Sequence, residues 1–520
     1  MSSGSTTARS RPRNREPGRG RAHVLMFRQG RTATGPAILA ALVCSGALAD
    51  GASLDPANMP RVGTVEERFQ SYNIEMVEVT GGRFWKAYGP EPSPPGMDLY
   101  AYRPPIDLAR SKLRRLAAAL APAYLRVSGT WANSTYFSDT EEAPSTPPAG
   151  FDGVLTRRQW QGVIDFSKTA DAKIVTSFAV SRGTRDAAGV WTPDQAARLL
   201  VATRLLGGSI AAAEFMNEPD LPAISGAPAG YDAEAYGRDF KIFRSFIRQT
   251  APEIVVLGPG AAGQAPLASD LLAASGPGVD VFSYHHYGTL SERCIGTSTP
   301  EAALSEAWLA KTDQALTLHQ TLRNQFEPGK PIWLTETADA ACGGNRSGAT
   351  FLDTFRYLDQ LGRLARAGVQ VVMHNTLAAS DYGLLDETTL TPRPNYWGAL
   401  LWRRLMGTTV LDAGVPIEQG LHVYAHCQRG KSGGAALLVI NTDRIASRSL
   451  RVPIASERYV LDATSLRSTI VQLNGTTLAL DDKDGLPPIE GVPTPAGTLT
   501  FAPATISFLA IPEAGNRACQ

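Results

Sequence analysis

The feature that most constrains this 520-residue chain is a long alternation of short apolar runs with segments of helical period. SYNIEMVEV (71–79), AYLRVSG (123–129), AKIVTSFAV (172–180), the run 210–216, EIVVLGPG (253–260), VDVFSYHHY (279–287), PIWLTET (331–337) and VQVVMHN (369–375) read as strands. Residues 106–120, 156–169, 192–206, 231–249, a short stretch near Ser269, 300–324 and 350–367 read as helices between them. For the third helix, Thr192 serves as N-cap and Pro193 as first helical residue. Runs apolar on both faces and separated by helices imply a parallel sheet covered on both sides. Eight such units in roughly 300 residues imply an α/β fold of the (β/α)8 TIM barrel type. An open doubly wound sheet would want a Gly-rich turn after an early strand, and the sequence has none.

The grammar changes near Gly420. HVYAHCQ, GAALLVINT, SLRVPI, RYVLDA, TIVQLNG and ATISFLAI are short runs separated by Gly, Asn, Asp and Pro. They predict a C-terminal β-sandwich. The expected division is 1–49 as a leader, 70–412 as the barrel and 413–520 as the sandwich, with a strand from 60–70 joining the latter. The leader is basic and rich in Ser, Gly and Pro, then runs through AILAALVCSGALA to Asp50. That order describes a secretory signal cleaved after Ala49 and predicts a secreted or periplasmic protein. Its apolar run is too short for stable membrane insertion. Fifty basic against 49 acidic residues leave a net charge of +1, so no nucleic acid is expected to be held by bulk charge. Cys294, Cys342, Cys427 and Cys519 remain in the exported chain, which favours two disulfides with three pairings open. No cysteine–histidine spacing points to a metal, and no cofactor is called for.

Strand four ends in Asn217-Glu218-Pro219, and Pro219 biases Glu218 toward extended backbone. Strand seven ends in Thr335-Glu336-Thr337. Two glutamates at the C-terminal ends of two barrel strands stand where barrel enzymes keep their chemistry. Glycosidic cleavage needs such a pair: one carboxylic acid for the leaving oxygen, one carboxylate for the developing oxocarbenium centre. His286 and Tyr287, at the end of strand six, are expected to line a sugar site.

AYLRVSGT, FMNEPD, FSYHHY, WLTETADAACGG, VVMHNTLAASDYGLLDE, NYWGALLWRRLMGT and VQLNGTTLAL together resemble glycoside hydrolase family 79, the heparanase and β-glucuronidase family of the clan A retaining glycosidases. The likeness runs from about residue 62 to the C-terminus and implies catalytic roles for Glu218 (acid/base) and Glu336 (nucleophile). It also implies that Gly343, Gly344 and Tyr382 hold a glucuronate carboxylate, and that Glu75, Thr130 and Asn217 contact the sugar. The family's disulfide implies Cys427–Cys519, accompanied by a second bridge, Cys294–Cys342, between the loops after strands six and seven. The implied partner is a carbohydrate containing glucuronic acid, and the implied enzyme a secreted retaining β-glucuronidase. Its loop GPGAAGQAPLASDLL has no basic residue for a sulfated polymer, which favours exo action over a heparanase-like endo action. The rivals are a neutral-sugar glycosidase of the same clan and a non-catalytic carbohydrate-binding protein.

Overall fold

The computed structural model describes residues 52–88, 99–263, 265–296 and 300–520; the leader expected over 1–49 lies outside the described residues. Eight parallel strands close into a barrel: β1 (Gln70–Glu75), β2 (Ala123–Ser128), β3 (Ala172–Ser177), β4 (Ile210–Glu214), β5 (Val255–Ala261), β6 (Val281–Tyr287), β7 (Ile332–Ala338) and β8 (Val371–His374). Closure is made by β8 against β1, with Val372 opposite Gln70 and His374 opposite Tyr72. All eight lie where the apolar runs predict them.

Helices α1 (Met76–Thr80), α2 (Ser111–Ala118), α3 (Arg157–Thr169), α4 (Asp194–Leu205), α5 (Ala233–Thr250), α6 (Ala265–Ser275), α7 (Glu306–Leu309), α8 (Lys311–Phe326), α9 (Phe351–Arg366) and α10 (Pro394–Leu405) follow the strands. Several boundaries differ from the sequence expectation, and the helix expected over 106–120 is helical only from Ser111 to Ala118. The run 71–79 is strand only to Glu75, because Glu75 and Glu78 form a reciprocal capping box that starts α1. In α4 the N-cap is Pro193 rather than Thr192, whose hydroxyl donates instead to the Thr184 carbonyl at 3.2 Å. The helix expected over 300–324 is two pieces, α7 and α8.

Strand alternation sorts the barrel interior into layers. Val175, Ala212, Leu257, Val281, Trp333 and Val371 form an apolar cluster with Tyr124 packed against it. Two residues further along their strands come Arg126, Ser177, Glu214, Ser283 and Thr335, all buried. The interior therefore turns from hydrocarbon to charge on the way to the C-terminal mouth.

The antiparallel sheet uses β9 (Met406–Leu411), β10 (His422–Gln428), β11 (Ala435–Asn441) and β12 (Ser456–Asp462), with Thr505–Ile511 between β11 and β12. Arg61–Thr64 pairs with β9, so the segment around 60–70 does contribute an edge strand, and β9 itself precedes the boundary expected at 412/413. One face, with Leu437, Val439 and Leu509, is covered by the two-stranded ribbon Arg448–Val452/Gly497–Phe501. The other, with Tyr424, Leu438 and Phe508, shares its core with the barrel's helices.

Helix α9 lies between barrel and sheet and is buried from Phe351 to Ala365. Its polar groups need partners there, and the sheet supplies them. Asp359 accepts from Tyr424 Oη at 2.5 Å and pairs with His422 Nδ1 at 2.5 Å and Arg363 Nε at 2.6 Å. Gly362 packs on the Tyr424 ring so closely that an added Cβ would collide with it. Gly362→Ala is expected to destabilise the protein by about 1–3 kcal/mol through overpacking, seen as a lower urea midpoint, whereas an unchanged midpoint would show the seam can spread.

Candidate active site

Arg126 is the centre of the charged layer. From β2 it donates to Glu214 Oε2 through Nε at 3.1 Å and Nη2 at 2.9 Å, and through Nη1 to Glu336 Oε2 at 2.9 Å. Nη2 also reaches Asn217 Oδ1 at 2.8 Å. The other oxygen of Glu214 accepts from Ser283 at 3.0 Å and Thr335 at 2.9 Å. Burial pushes Glu214 upward, but Arg126 and His285 outweigh it and hold the carboxyl below its ordinary range. A buried cation with two anions and satisfied lone pairs is the arrangement in which such charges are tolerated.

Glu218 and Glu336 meet at the mouth of the barrel. One oxygen of each, together with a ring nitrogen of His285, lie within 4.8 Å of one another. His285 Nδ1 stands 3.1 Å from Glu218 Oε1 and 3.7 Å from Glu336 Oε2, while its Nε2 is 3.3 Å from Arg126 Nη2. Burial and the Arg126 charge oppose a proton on His285, but Glu336 and the hydrogen bond that Nδ1 donates to Glu218 outweigh them and raise the pKa of the ring above its ordinary value. Tyr287 Oη donates to the other oxygen of Glu336 at 2.6 Å.

The two carboxyl groups are pushed apart in acidity. Burial raises Glu218, and the charge of Glu336 adds to the rise against the opposing hydrogen bond from His285. Burial would raise Glu336 too, but His285, Arg126 and the Tyr287 hydroxyl bring it below its ordinary value. The cations thus serve one glutamate more than the other. His285 and the two carboxylates also have the donor types to hold a cation, but Arg126 already supplies the positive charge at Glu336.

Glu218 differs from the sequence expectation in its backbone. Its φ is 47°, in the left-handed region, not the extended conformation that Pro219 favours. Its carbonyl accepts from Leu221 N at 3.0 Å, closing a turn directly after the strand. Left-handed backbone at a non-glycine residue costs energy that the surroundings must supply, and such strain gathers at functional sites.

Of the other predicted residues, most converge. Glu75 is 4 % exposed; its Oε1 accepts from Asn375 Nδ2 at 3.0 Å, and its Oε2 has no hydrogen-bond partner among the described residues. Gly129 leaves room for that carboxylate: a Cβ there would overlap it, and Thr130 follows at once in the chain. Asn375 Nδ2 also lies 2.9 Å from Tyr287 Oη and 3.2 Å from Tyr382 Oη. Gly343 and Gly344 take φ values of 81° and 83°, a turn that only glycine enters without strain. A Cβ on Gly344 would press on Tyr382 at 3.0 Å.

His286 does not join them. Strand alternation puts His285 and Tyr287 on the catalytic face and His286 on the other, where burial and the charges of Arg356 and Lys311 lower its pKa to about 4. Sequence reasoning also passed over Arg126, Glu214 and Asn375. The signal for the first two was present: a charged residue inside an otherwise apolar strand needs a buried partner.

Loops from four strands meet on one rim. Trp85 and Tyr88 follow β1, Arg293 follows β6, Cys342 and Gly343 follow β7, and Asp381 follows β8. Arg293 Nη2 pairs with Asp381 at 2.5 Å, its guanidinium lies 4.0 Å over the Tyr88 ring, and Asp381 N donates to the Gly343 carbonyl at 3.1 Å. Cys294 and Cys342 form a disulfide across this rim, and Cys427 and Cys519 a second one in the sheet domain.

Paired glutamates this close, held at the C-terminal mouth of a (β/α)8 barrel with their acidities split, define a glycoside hydrolase. A family model described as the glycosyl hydrolase family 79, N-terminal domain, matches residues 105–362. Heparanase-like protein 1 of Arabidopsis thaliana is 27% identical over 479 residues, covering 80% of this chain and 86% of that one. Heparanase of Mus musculus is 28% identical over 477 residues, covering 79% and 88%. The chain belongs to glycoside hydrolase family 79. Among solved structures, a 4-O-alpha-L-rhamnosyl-beta-D-glucuronidase from Fusarium oxysporum shares the fold with a TM-score of 0.62 at 14% identity, over 89% of this chain and 99% of that one.

Arg126→Met is expected to cost about 3–5 kcal/mol, because Glu214 then stays buried without its cation. Chemical denaturation measures this, and the double variant Arg126→Met/Glu214→Gln should recover much of the loss. Recovery absent from the double variant would mean that the arginine acts by packing alone.

Proposed function

We propose that this hydrolase is a retaining β-glucuronidase that removes single glucuronic acid residues from chain ends or aglycones. The observation that carries the reading is the approach of Glu218 and Glu336 to within 4.8 Å with opposite shifts in acidity. Retaining glycosidases place their carboxyl groups about 5–5.5 Å apart, closer than the spacing that leaves room for an inverting water.

Glu336, ionised and aimed by Tyr287 and Arg126, is the nucleophile. It bonds to the anomeric carbon as the glycosidic C–O bond breaks, and Glu218 gives its proton to the leaving oxygen. Glu218 then takes a proton from water, whose oxygen attacks the same carbon and frees Glu336. Once the charge on Glu336 is consumed in the covalent intermediate, Glu218 loses its anionic neighbour and its acidity moves toward that of a base. Glu75, with one oxygen unpartnered, and Asn217 bind sugar hydroxyls. The Gly343–Gly344 turn and Tyr382 receive the uronate carboxylate, since glycine lets backbone N–H groups approach an anion.

Exo action is supported by the rim, where loops from β1, β6, β7 and β8 are joined by an ion pair and a disulfide beside the sugar position. The heparanase names of the relatives favour endo action on a polymer as the second reading. Secretion is supported by the two disulfides, which belong to an oxidising compartment.

Glu336→Ala is expected to remove all measurable turnover of an aryl β-glucuronide, and wild-type activity in that variant would end the assignment. The pH profile of kcat/KM is expected to be a bell. Its acid limb follows Glu336, which must be ionised, and so lies below the usual glutamate range. Its alkaline limb follows Glu218, which must be protonated, and so lies above that range; a profile with the limbs exchanged among Glu336→Asp and Glu218→Asp variants would reverse the roles. Product sizes from a uronic acid oligosaccharide labelled at its reducing end separate the two readings: monosaccharide release at each step supports exo cleavage, internal fragments endo cleavage.

A further inference from the structure

We propose that Arg293, fixed in place by the Cys294–Cys342 disulfide, is a specificity-determining cation for the substrate's carboxylate at the Gly343–Gly344 turn. This rests on the uronate reading above and adds to it a charged residue on the rim.

Arg293 has a side chain only 5% exposed. Its Nη2 is spent on Asp381 and its flat face on Tyr88. Nη1 is buried and has no hydrogen-bond partner among the described residues. That nitrogen lies against the turn: a Cβ on Gly343 would come within 2.7 Å of it and within 2.6 Å of the Trp85 side chain. The field of Arg293 also reaches the Tyr382 hydroxyl, which it pulls down against the larger upward push of burial and of Glu75. A buried guanidinium N–H without an acceptor carries an uncompensated desolvation cost, and a ligand oxygen would remove it.

The charges around the sugar position make the same demand. Glu336 is held ionised in the site, whereas burial raises both Glu75 and Glu218, and a uronate brings a second negative charge beside Glu336. Arg126 is committed to Glu214, Glu336 and Asn217. Arg293 keeps one donor uncommitted beside the turn. The covalent link makes the placement stiff, because Arg293 adjoins Cys294 while Gly343 adjoins Cys342, so the bridge couples the cation's loop directly to the turn's loop. Arg293 is sequence-distant from the turn, yet the two cannot drift apart without breaking that bond.

The test compares kcat/KM for an aryl β-glucuronide and the matching aryl β-glucoside in wild type and Arg293→Gln, with melting temperatures recorded. The expected result is a fall of about 10- to 100-fold in the glucuronide-to-glucoside ratio, the size of a lost hydrogen bond to a charged group. Equal falls for both substrates would overturn the proposal and leave Arg293 as a support for Asp381. Should Arg293→Gln not fold, Arg293→Lys keeps the charge with one shorter donor. Its KM for the glucuronide is expected to rise alone, and a parallel rise for both substrates overturns the proposal. A wild-type enzyme that cleaves the glucoside and not the glucuronide would instead defeat the uronate reading itself, and this inference with it.

Discussion

The structure is organised around one buried arginine. Arg126 sits where the barrel interior changes from hydrocarbon to charge, and its five donors decide what the neighbouring strands are able to carry. Without it, Glu214 on β4 and Glu336 on β7 would be two anions enclosed in a medium of low polarizability, and one of them would have to hold a proton. With it, both stay ionised. The same guanidinium steadies Asn217, so strands two, four and seven are registered at the site through one side chain. The architecture supplies the positions, and the arginine makes carboxylates permissible in them.

A division of labour between two chemically identical residues follows from this. Glu336 receives Arg126 and Tyr287, whereas Glu218 receives His285 and occupies a backbone conformation that residues with a Cβ seldom adopt. Unequal distribution of cations and donors is enough to make one an acid and the other an anion at the same pH. The turn after β4 places Glu218 against that field, and the contorted backbone is the local cost of the placement.

Much of this was legible in the chain. Eight apolar runs located eight strands, because a parallel strand buried on both faces has to be apolar nearly throughout. The glutamates were found because each closes such a run. What escaped reading depended on which face of a strand a residue occupies. His285 and His286 are indistinguishable in a list of motifs, and the bulge between Tyr284 and His285 shifts the register at that point. Arg126 and Glu214 are 88 residues apart, and nothing local in either segment names its partner. The start of α1 was missed because the capping box between Glu75 and Glu78 lies inside what reads as a β pattern. The seam between barrel and sheet is also invisible in sequence, since Asp359 and Tyr424 look like ordinary surface and core residues until they are brought together.

The antiparallel sheet joins segments from both ends of the described chain. Arg61–Thr64 forms its edge, Thr505–Ile511 runs through its middle, and Asn516 Nδ2 donates to the carbonyls of Pro56 and Met59 at 2.8 and 2.9 Å. Vectorial synthesis therefore delivers the first of these segments hundreds of residues before its partners exist. The barrel's own ring cannot shut until β8 has emerged to meet β1, and the polar face of α9 waits for β10. Such a chain completes its native pairing only after its last strand is made, so the sheet cannot close early around the segments already synthesised.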